Sequence, residues 1–254
     1  MNFRLTIQYD GTDFHGWQVQ AGEQADVRTV QGELARVLAL LEGHEVTIHG
    51  AGRTDAGVHA EAQVASVELE RAFTIEKMQA AINGNLAPDL RVVRVEEVAE
   101  DFHARFSAKG KTYRYRIFNA RFTSPFLRRF ALYESRPLDT EAMRRAAYLF
   151  LGKHDWTAFS SAQSDVASRV RTITNLDVRE AAGEFHGGRM IEIEASAEGF
   201  LRYMVRSIAG TLLAVGRGEI ADEQIAAAIA TGDRRLTGAT APPHGLTLVK
   251  VHYE

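Results

Sequence analysis

The chain has 254 residues, of which 45% are hydrophobic and 25% charged, a composition typical of a globular protein with a substantial core. It contains no cysteine, which excludes disulfides, thiolate metal sites and thiol nucleophiles. No run of about 18 apolar residues occurs, and the first residues lack the features of a secretory signal. We therefore expect a cytoplasmic protein with no membrane contact.

The first hundred residues have the pattern of a split βαβ arrangement. Strands show alternating apolar positions, and helices show apolar residues at helical spacing between capping residues and glycines. The predicted elements are strands at 4–9, 45–49, through 64–67 and 90–98, and helices at 29–43 and 74–85. The order β-α-β-β-α-β is typical of ferredoxin-like and RNA-recognition folds.

The second half repeats this theme with longer insertions. The predicted elements are strands at 112–118, 173–178, 190–195 and 246–253, a helix at 200–215, and two helices capped by Asp139 and Asp222. The sequence thus predicts an α+β fold of two ferredoxin/RRM-like halves, with antiparallel sheets meeting at a central active-site cleft. We place the domains at residues 1–104 and residues 105–254.

Charge is distributed unevenly along the chain, whose net charge is −3. Residues 1–101 hold 8 Lys and Arg against 17 Asp and Glu, and residues 146–254 hold 11 against 13. Residues 102–145 hold 11 against 3. Such an asymmetry indicates either a local cationic surface on an otherwise acidic protein or a solvated basic face without a ligand. The cations assigned to this surface are Lys109, Lys111, Arg114, Arg116, Arg121, Arg128 and Arg129.

The loop from Gly52 to His59, Gly-Arg-Thr-Asp-Ala-Gly-Val-His, is the most unusual stretch. Its glycines permit positive φ and close approach of a ligand, and Arg53 can keep the nearby carboxylate of Asp55 ionised. An ionised carboxylate in a loop at a strand end can serve as a nucleophile or a base. The alternative is a structural turn in which Asp55 bonds its own backbone.

The whole loop resembles the signature of the tRNA pseudouridine synthase A family, and four further segments resemble that family in the same order. These are Tyr9–Gln18, Asp101–Ala108 with Tyr113–Tyr115, Phe200–Arg206 and Ala239–Leu246. The similarity spans almost the whole chain. One departure is the segment Gln18–Asp26, which is longer than the family pattern.

The resemblance implies an isomerase that converts uridine to pseudouridine at positions 38, 39 and 40 of the tRNA anticodon stem-loop. It implies a homodimer that uses no cofactor and no metal. Asp55 corresponds to the catalytic aspartate, and Arg53 would contact the RNA backbone at the flipped nucleotide or help to open the stem. Tyr113 would stack on the target uracil, Arg206 would pair with the catalytic carboxylate, and Leu246 would pack on the other side of the base.

The residues leave several alternatives open. Asp55 could attack C6 of uracil, or attack or deprotonate the ribose. Tyr113 could be a core residue of its strand, and Arg206 could face the surface. A non-catalytic RNA-binding protein would not need Asp55, and a glycosidic hydrolase would need a second carboxylate, for which Glu61 is nearest in sequence. The histidines have no ligand-pair spacing, and His59 is expected to order the loop.

Overall fold

The computed structural model describes residues 1–20, 27–71, 74–163, 166–181 and 187–254. The strands are β1 Asn2–Tyr9, β2 Ile48–Gly50, β3 His59–Glu68, β4 Leu90–Val98, β5 Gly110–Asn119, β6 Leu132–Glu134, β7 Gly152–Asp155, β8 Val170–Glu180, β9 Arg189–Ala197 and β10 Leu246–His252. The α-helices are α1 Val30–Glu42, α2 Ile75–Gly84, α3 Thr140–Ala147, α4 Met204–Gly216 and α5 Asp222–Thr231. The predicted α+β class is confirmed.

The chain divides into two compact units. Unit 1 comprises Met1–Lys109 together with Leu248–Glu254, and unit 2 comprises Gly110–Thr247. The predicted division lies at residue 104, with the whole carboxy-terminal segment in the second half. The last seven residues instead belong to unit 1, where β10 lies beside β3 and the Tyr253 hydroxyl donates a hydrogen bond to the Ala104 carbonyl at 2.8 Å.

Unit 1 has the predicted β-α-β-β-α-β order, with antiparallel strands arranged β4-β1-β3-β2. In β1 the side chains of Phe3, Leu5 and Ile7 are buried on one face, as the alternating pattern predicts. The caps are also as predicted. The Thr29 side chain accepts from a backbone N–H in the first turn of α1, and Gly43 ends that helix at φ 85°.

Unit 2 contains the antiparallel strands β5-β9-β8-β7, and the short strand β6 pairs with β5 in parallel. Helix α3 begins after Asp139, whose side chain caps it as predicted, and it packs on α4 and β8. Nearly every side chain of α4 is buried. Among the described helices, none is long and apolar enough to cross a membrane.

Two helix starts in unit 2 differ from the prediction. Helix α4 begins at Met204 rather than Phe200, because Tyr203 has a left-handed backbone with φ 67° that cannot continue a right-handed helix. Helix α5 is preceded by Ala221, and Asp222 lies in its first turn, where a carboxylate favours the helix dipole without capping. The short strands β6 and β7 were not predicted.

Candidate active site

The loop that contains Asp55 joins β2 to β3 in unit 1 and is fixed where it begins. The Ala51 amide donates to the Val64 carbonyl at 2.7 Å. Gln63 is fully buried, and its side-chain amide donates to the Gly52 carbonyl at 3.0 Å. Because a buried amide must find partners inside the protein, Gln63 fixes the entry of the loop to the sheet.

The residue before Asp55 is held on both its side chain and its backbone. The hydroxyls of Tyr9 and Thr54 are 2.8 Å apart in a buried hydrogen bond, and burial raises the pKa of Tyr9 to about 12. The Trp17 amide donates to the Thr54 carbonyl at 3.1 Å. Thr54 therefore has little freedom, and the position of the next residue along the chain follows from it.

Gly16 lies directly against the backbone of the Asp55 loop. It adopts φ 88°, and a Cβ atom built on it would lie 2.6 Å from the Thr54 carbonyl oxygen and 3.2 Å from the Asp55 carbonyl carbon. No side chain fits there, and the left-handed backbone also favours glycine. The Gly57 amide donates to the Phe14 carbonyl at 3.3 Å, so residues 14–17 contact both sides of Asp55.

The exit of the loop is ordered by His59, as predicted. Its imidazole is buried, and its Nδ1 accepts a hydrogen bond from the Gly11 amide at 2.9 Å. Gly11 itself touches the loop, since a Cβ atom there would lie 2.0 Å from the Val58 carbonyl oxygen. Within the described ranges, no group of three or more His, Asp or Glu residues is arranged to hold a metal ion.

Asp55 is half-buried in the middle of this supported loop, and Arg53 is exposed. The Arg53 Nε donates to Gln18 Oε1 at 3.1 Å, which ties the loop to the segment before α1. A half-buried carboxylate on a rigid backbone suits nucleophilic or acid–base chemistry, because little reorganisation is needed at the moment of reaction. Residues 21–26 of the segment predicted to be long lie outside the described residues.

Tyr113 lies on β5 in unit 2, on the strand face that also holds Tyr115. Its side chain is 7% exposed, and its ring meets that of Phe200 edge to face, with centroids 5.2 Å apart. The ring therefore packs as a core residue, which is one of the two interpretations left open by the sequence. Its stacking on a uracil stays a prediction.

Arg206 lies in the first turn of α4 and is half-buried. Its Nε donates to the Ala241 carbonyl at 2.8 Å, and its guanidinium carbon lies 5.0 Å from the ring centroid of Tyr203. Arg202 lies 4.9 Å from the same centroid. Among the described residues, Tyr203 is the one non-glycine residue at positive φ, a conformation that costs about 1–2 kcal/mol. Its ring contacts both guanidinium groups.

The segment that precedes β10 brings Leu246 into the same part of unit 2. The Tyr115 hydroxyl donates to the Pro242 carbonyl at 2.9 Å, and burial raises the pKa of Tyr115, although the charge of Arg206 opposes the increase. A Cβ atom on Gly245 would lie 2.7 Å from the Tyr115 ring, and Leu246 is buried next to it in sequence. In unit 2, Arg206 and Leu246 are thus both linked to the segment Ala241–Gly245. Arg206 bonds to its first residue, and Leu246 follows its last.

Two of the cations expected to face RNA are paired within the sheet of unit 2. Arg116 Nε lies 3.0 Å from Glu192 and Arg114 Nη2 lies 3.5 Å from Glu194, both carboxylates being on β9. Arg179 on β8 approaches both carboxylates, at 3.0 and 3.4 Å. Glutamates therefore balance the charges of Arg114 and Arg116, which weakens their assignment to an RNA-facing surface.

Sequence reasoning did not find several supporting residues. Gly16 and Phe200 fall in segments that resemble the family, but a sequence pattern does not reveal a close backbone approach or a ring contact. Tyr203 lies inside the helix that the sequence predicts from Phe200, so its positive φ could not be expected from the pattern. Gln63 looks like an ordinary polar strand residue, and its burial depends on the loop folding over it.

A carboxylate held by its neighbours on a loop between two strands defines a site for nucleophilic or acid–base catalysis in an α+β protein. The model of the family described as tRNA pseudouridine synthase matches residues 5–107 and 146–254.

Relatives extend this similarity over the whole chain. The protein is 42% identical to "tRNA pseudouridine synthase A" of Acetivibrio thermocellus, with 99% of each chain covered. It is 41% identical to that of Nitratidesulfovibrio vulgaris (98% of each) and 43% identical to that of Geobacillus sp. strain WCH70 (99% of this chain, 98% of the other). The chain belongs to the tRNA pseudouridine synthase family, a class of isomerases that convert uridine to pseudouridine in tRNA.

Proposed function

We propose that the protein isomerises uridines 38, 39 and 40 in the anticodon stem-loop of tRNA, with the Asp55 carboxylate as the catalytic group. The observation that carries the proposal is the support of the Asp55 loop. Thr54 is bonded by Tyr9 and Trp17, and Gly16 lies against the backbone of both Thr54 and Asp55. A loop held so closely can present one carboxylate at a fixed position to a substrate.

The reaction breaks the bond between C1′ and N1, turns the uracil in the site and joins C5 to C1′. The hydrogen at C5 is then released to solvent. Because the target base is stacked or paired, it must first be flipped out, at a cost of a few kcal/mol. Asp55 acts on C6 of uracil or on the ribose during this sequence, and both roles need its ionised form.

The other predicted residues take supporting roles in the proposal. Arg206 pairs with the catalytic carboxylate and keeps it ionised, because a cation nearby favours the charged form. Tyr113 and Leu246 contact the two faces of the extruded uracil, and Arg53 contacts the RNA backbone. The exposure of Arg53 and the fixed Nε of Arg206 support these assignments.

The test is tritium release from tRNA labelled at C5 of uridine. The wild-type protein should release tritium, and Asp55→Asn should release none while it binds tRNA nearly as tightly as the wild type does. Asp222→Asn, an exposed aspartate in the first turn of α5, is the matched control and should release tritium normally. Full release by Asp55→Asn would rule out the catalytic role of this carboxylate.

The supporting residues are tested by separating turnover from binding. Tyr113→Leu and Arg206→Ala should lower the rate of tritium release more than they lower the affinity for tRNA. Normal rates in both variants would remove them from the site. The tRNA positions are tested by mapping pseudouridines in cells that lack the gene, where the loss should be confined to positions 38–40.

We also propose that the protein is a homodimer, as the family resemblance implies, and that it is cytoplasmic, as expected from the sequence. Sedimentation equilibrium should give twice the 28.1 kDa mass of the chain. A mass of one chain at all concentrations would contradict the dimer. Cell fractionation should find the protein with the cytoplasmic tRNA, and recovery in a membrane or secreted fraction would contradict the proposed location.

A further inference from the structure

An ordered turn in unit 1, residues His103–Ser107, is not used by the proposed mechanism. The His103 imidazole Nδ1 accepts hydrogen bonds from the amides of Arg105 at 3.1 Å and Phe106 at 3.4 Å. The Ser107 amide donates to the His103 carbonyl at 2.9 Å, and the Ser107 hydroxyl accepts from the His103 amide at 3.1 Å. The turn is therefore closed by its own side chains and has a defined shape.

Three aromatic rings contact one another in a row on this turn, with neighbouring rings tilted by 34° and 37°, and we call them the His–Phe stack (His49, His103 and Phe106). The ring centroids of His49 and His103 are 4.6 Å apart, and those of His103 and Phe106 are 4.3 Å apart. Phe106 ends the stack and is 76% exposed. Because His103 covers one face of the Phe106 ring, the exposed area includes the opposite face.

His103 is in its neutral form when it supports this stack. Two backbone N–H groups point at Nδ1, so that nitrogen must keep its lone pair. Burial, and then the nearby His49, lower the pKa of His103 below its ordinary value, which agrees with the hydrogen bonds. The ring beneath Phe106 is thus uncharged at neutral pH, and the stack ends in an apolar surface.

The cation beside the Phe106 ring favours a polyanion as its partner. The Arg105 guanidinium carbon lies 5.7 Å from the Phe106 ring centroid, and Arg105 and Lys109 are both exposed, while the exposed Glu100 and Asp101 precede the turn. Exposed aromatic rings beside arginines are the means by which proteins bind unpaired RNA bases and their phosphates. A symmetric contact between two copies would bring these like charges together, which disfavours a second chain as the partner.

We propose that the outer face of Phe106 stacks on an unpaired base of the tRNA that the protein modifies, with Arg105 beside the adjoining phosphate. This contact rests on the function proposed above and adds a binding residue to it. The His49 and His103 rings act as positioning groups, since they fix the angle at which Phe106 meets the base.

The experiment uses tryptophan fluorescence in the full chain. The two native tryptophans, Trp17 and Trp156, are buried, so Phe106→Trp introduces an exposed indole at the end of the stack. Binding of tRNA should quench this indole, and a fully paired RNA duplex of equal length should not, because it offers no free base. Tyr148→Trp, at another exposed aromatic position, is the matched control and should respond to neither RNA.

Affinity gives a second measurement. Phe106→Leu should raise the Kd for tRNA by about 5- to 150-fold, the range expected for loss of one base stack. Phe106→Tyr keeps the ring and should stay near the wild-type value. Since Phe106 is exposed, both variants should unfold at the wild-type temperature, which separates a lost contact from a misfolded protein.

The outcomes separate this inference from the function proposed above. If the wild-type protein releases no tritium from labelled tRNA, the proposed function fails first. If it does release tritium but tRNA leaves the Phe106→Trp signal unchanged and Phe106→Leu binds normally, only the Phe106 contact is overturned. A Phe106→Leu protein that loses its dimer and keeps its RNA affinity would show that the stack meets a second copy instead.

Discussion

At the scale of single residues, Gly16 lies in close contact with the backbone of the Asp55 loop. Gly16→Ala adds a methyl group 2.6 Å from the Thr54 carbonyl oxygen at a residue whose φ is 88°. The loop or the segment of Gly16 must move, and alanine is strained at that φ. We expect the free energy of unfolding to fall by about 1–3 kcal/mol and the rate of tritium release to fall by about 10- to 100-fold.

The control for this prediction is Gly84→Ala at the end of α2. A Cβ atom there meets nothing within 4 Å, and alanine is the better helix former by about 1 kcal/mol. The control should therefore be slightly more stable than the wild type and fully active. Wild-type stability and turnover in Gly16→Ala would show that the close approach does not position Asp55. Urea unfolding and tritium release measure the two quantities.

Among elements, strands β5, β8 and β9 of unit 2 are linked by ion pairs to Glu192 of β9. This carboxylate accepts hydrogen bonds from Arg116 and Arg179, both at 3.0 Å. Burial opposes its ionisation, but these bonds and the charge of Arg114 lower its pKa below the ordinary 4.5. Its stabilising effect is therefore complete above about pH 4.5 and is lost as the pH falls through its lowered pKa.

We expect Glu192→Gln to lower the free energy of unfolding by about 1–3 kcal/mol at pH 7, because three arginines then face each other without this anion. The difference from the wild type should shrink as the pH falls below 4.5, since the wild-type residue then also becomes neutral. The control is Glu141→Gln, which removes an exposed ion pair with Arg144 within α3, and its effect should be about 0.5 kcal/mol or less. A constant difference across this pH range would contradict the assigned role.

Helix caps are predicted well from the sequence, whereas the start of α4 and two short strands are not. Caps are local, and Thr29, Gly43, Thr74 and Asp139 were recognised because one side chain or one φ value determines them. The start of α4 was missed because the left-handed backbone of Tyr203 is sustained by contacts outside the helical pattern. Strands β6 and β7, with three and four residues, are too short to show a period.

In the candidate site, the sequence predicts the Asp55 loop but not the residues that support it, because the loop is local and the supports are not. The Asp55 loop stands out because glycines, a cation and a carboxylate occur within a few residues. The residues that support it are Gly16, Tyr9 and Gln63. They lie outside the loop in the sequence, so the pattern within the loop does not indicate them. Tyr113 was assigned to base stacking, and its burial against Phe200 depends on a contact across 87 positions of sequence that only the fold reveals.

At the scale of the whole molecule, the chain begins in unit 1, forms unit 2 and returns to unit 1 for its last seven residues. This return is well anchored. The Lys109 amide donates to the His252 carbonyl at 2.8 Å, and the Tyr253 ring lies 5.7 Å from the Arg4 guanidinium carbon. Leu248 is fully buried and Val251 nearly so. Unit 1 therefore lacks part of its core until the end of the chain is in place.

Deleting residues 248–254 should destabilise unit 1 more than unit 2. The loss of two buried aliphatic side chains alone amounts to about 3–6 kcal/mol, and β3 loses its neighbour β10. We expect the backbone amides of β3 to lose most of their protection from hydrogen exchange, while those of β9 keep more of theirs. Tyr253→Phe is the matched control, because it removes only the hydrogen bond to Ala104 and should cost about 1 kcal/mol. Equal loss of protection in β3 and β9 would mean that the two units unfold together. Full protection in β3 would mean that residues 248–254 are not needed for the stability of unit 1.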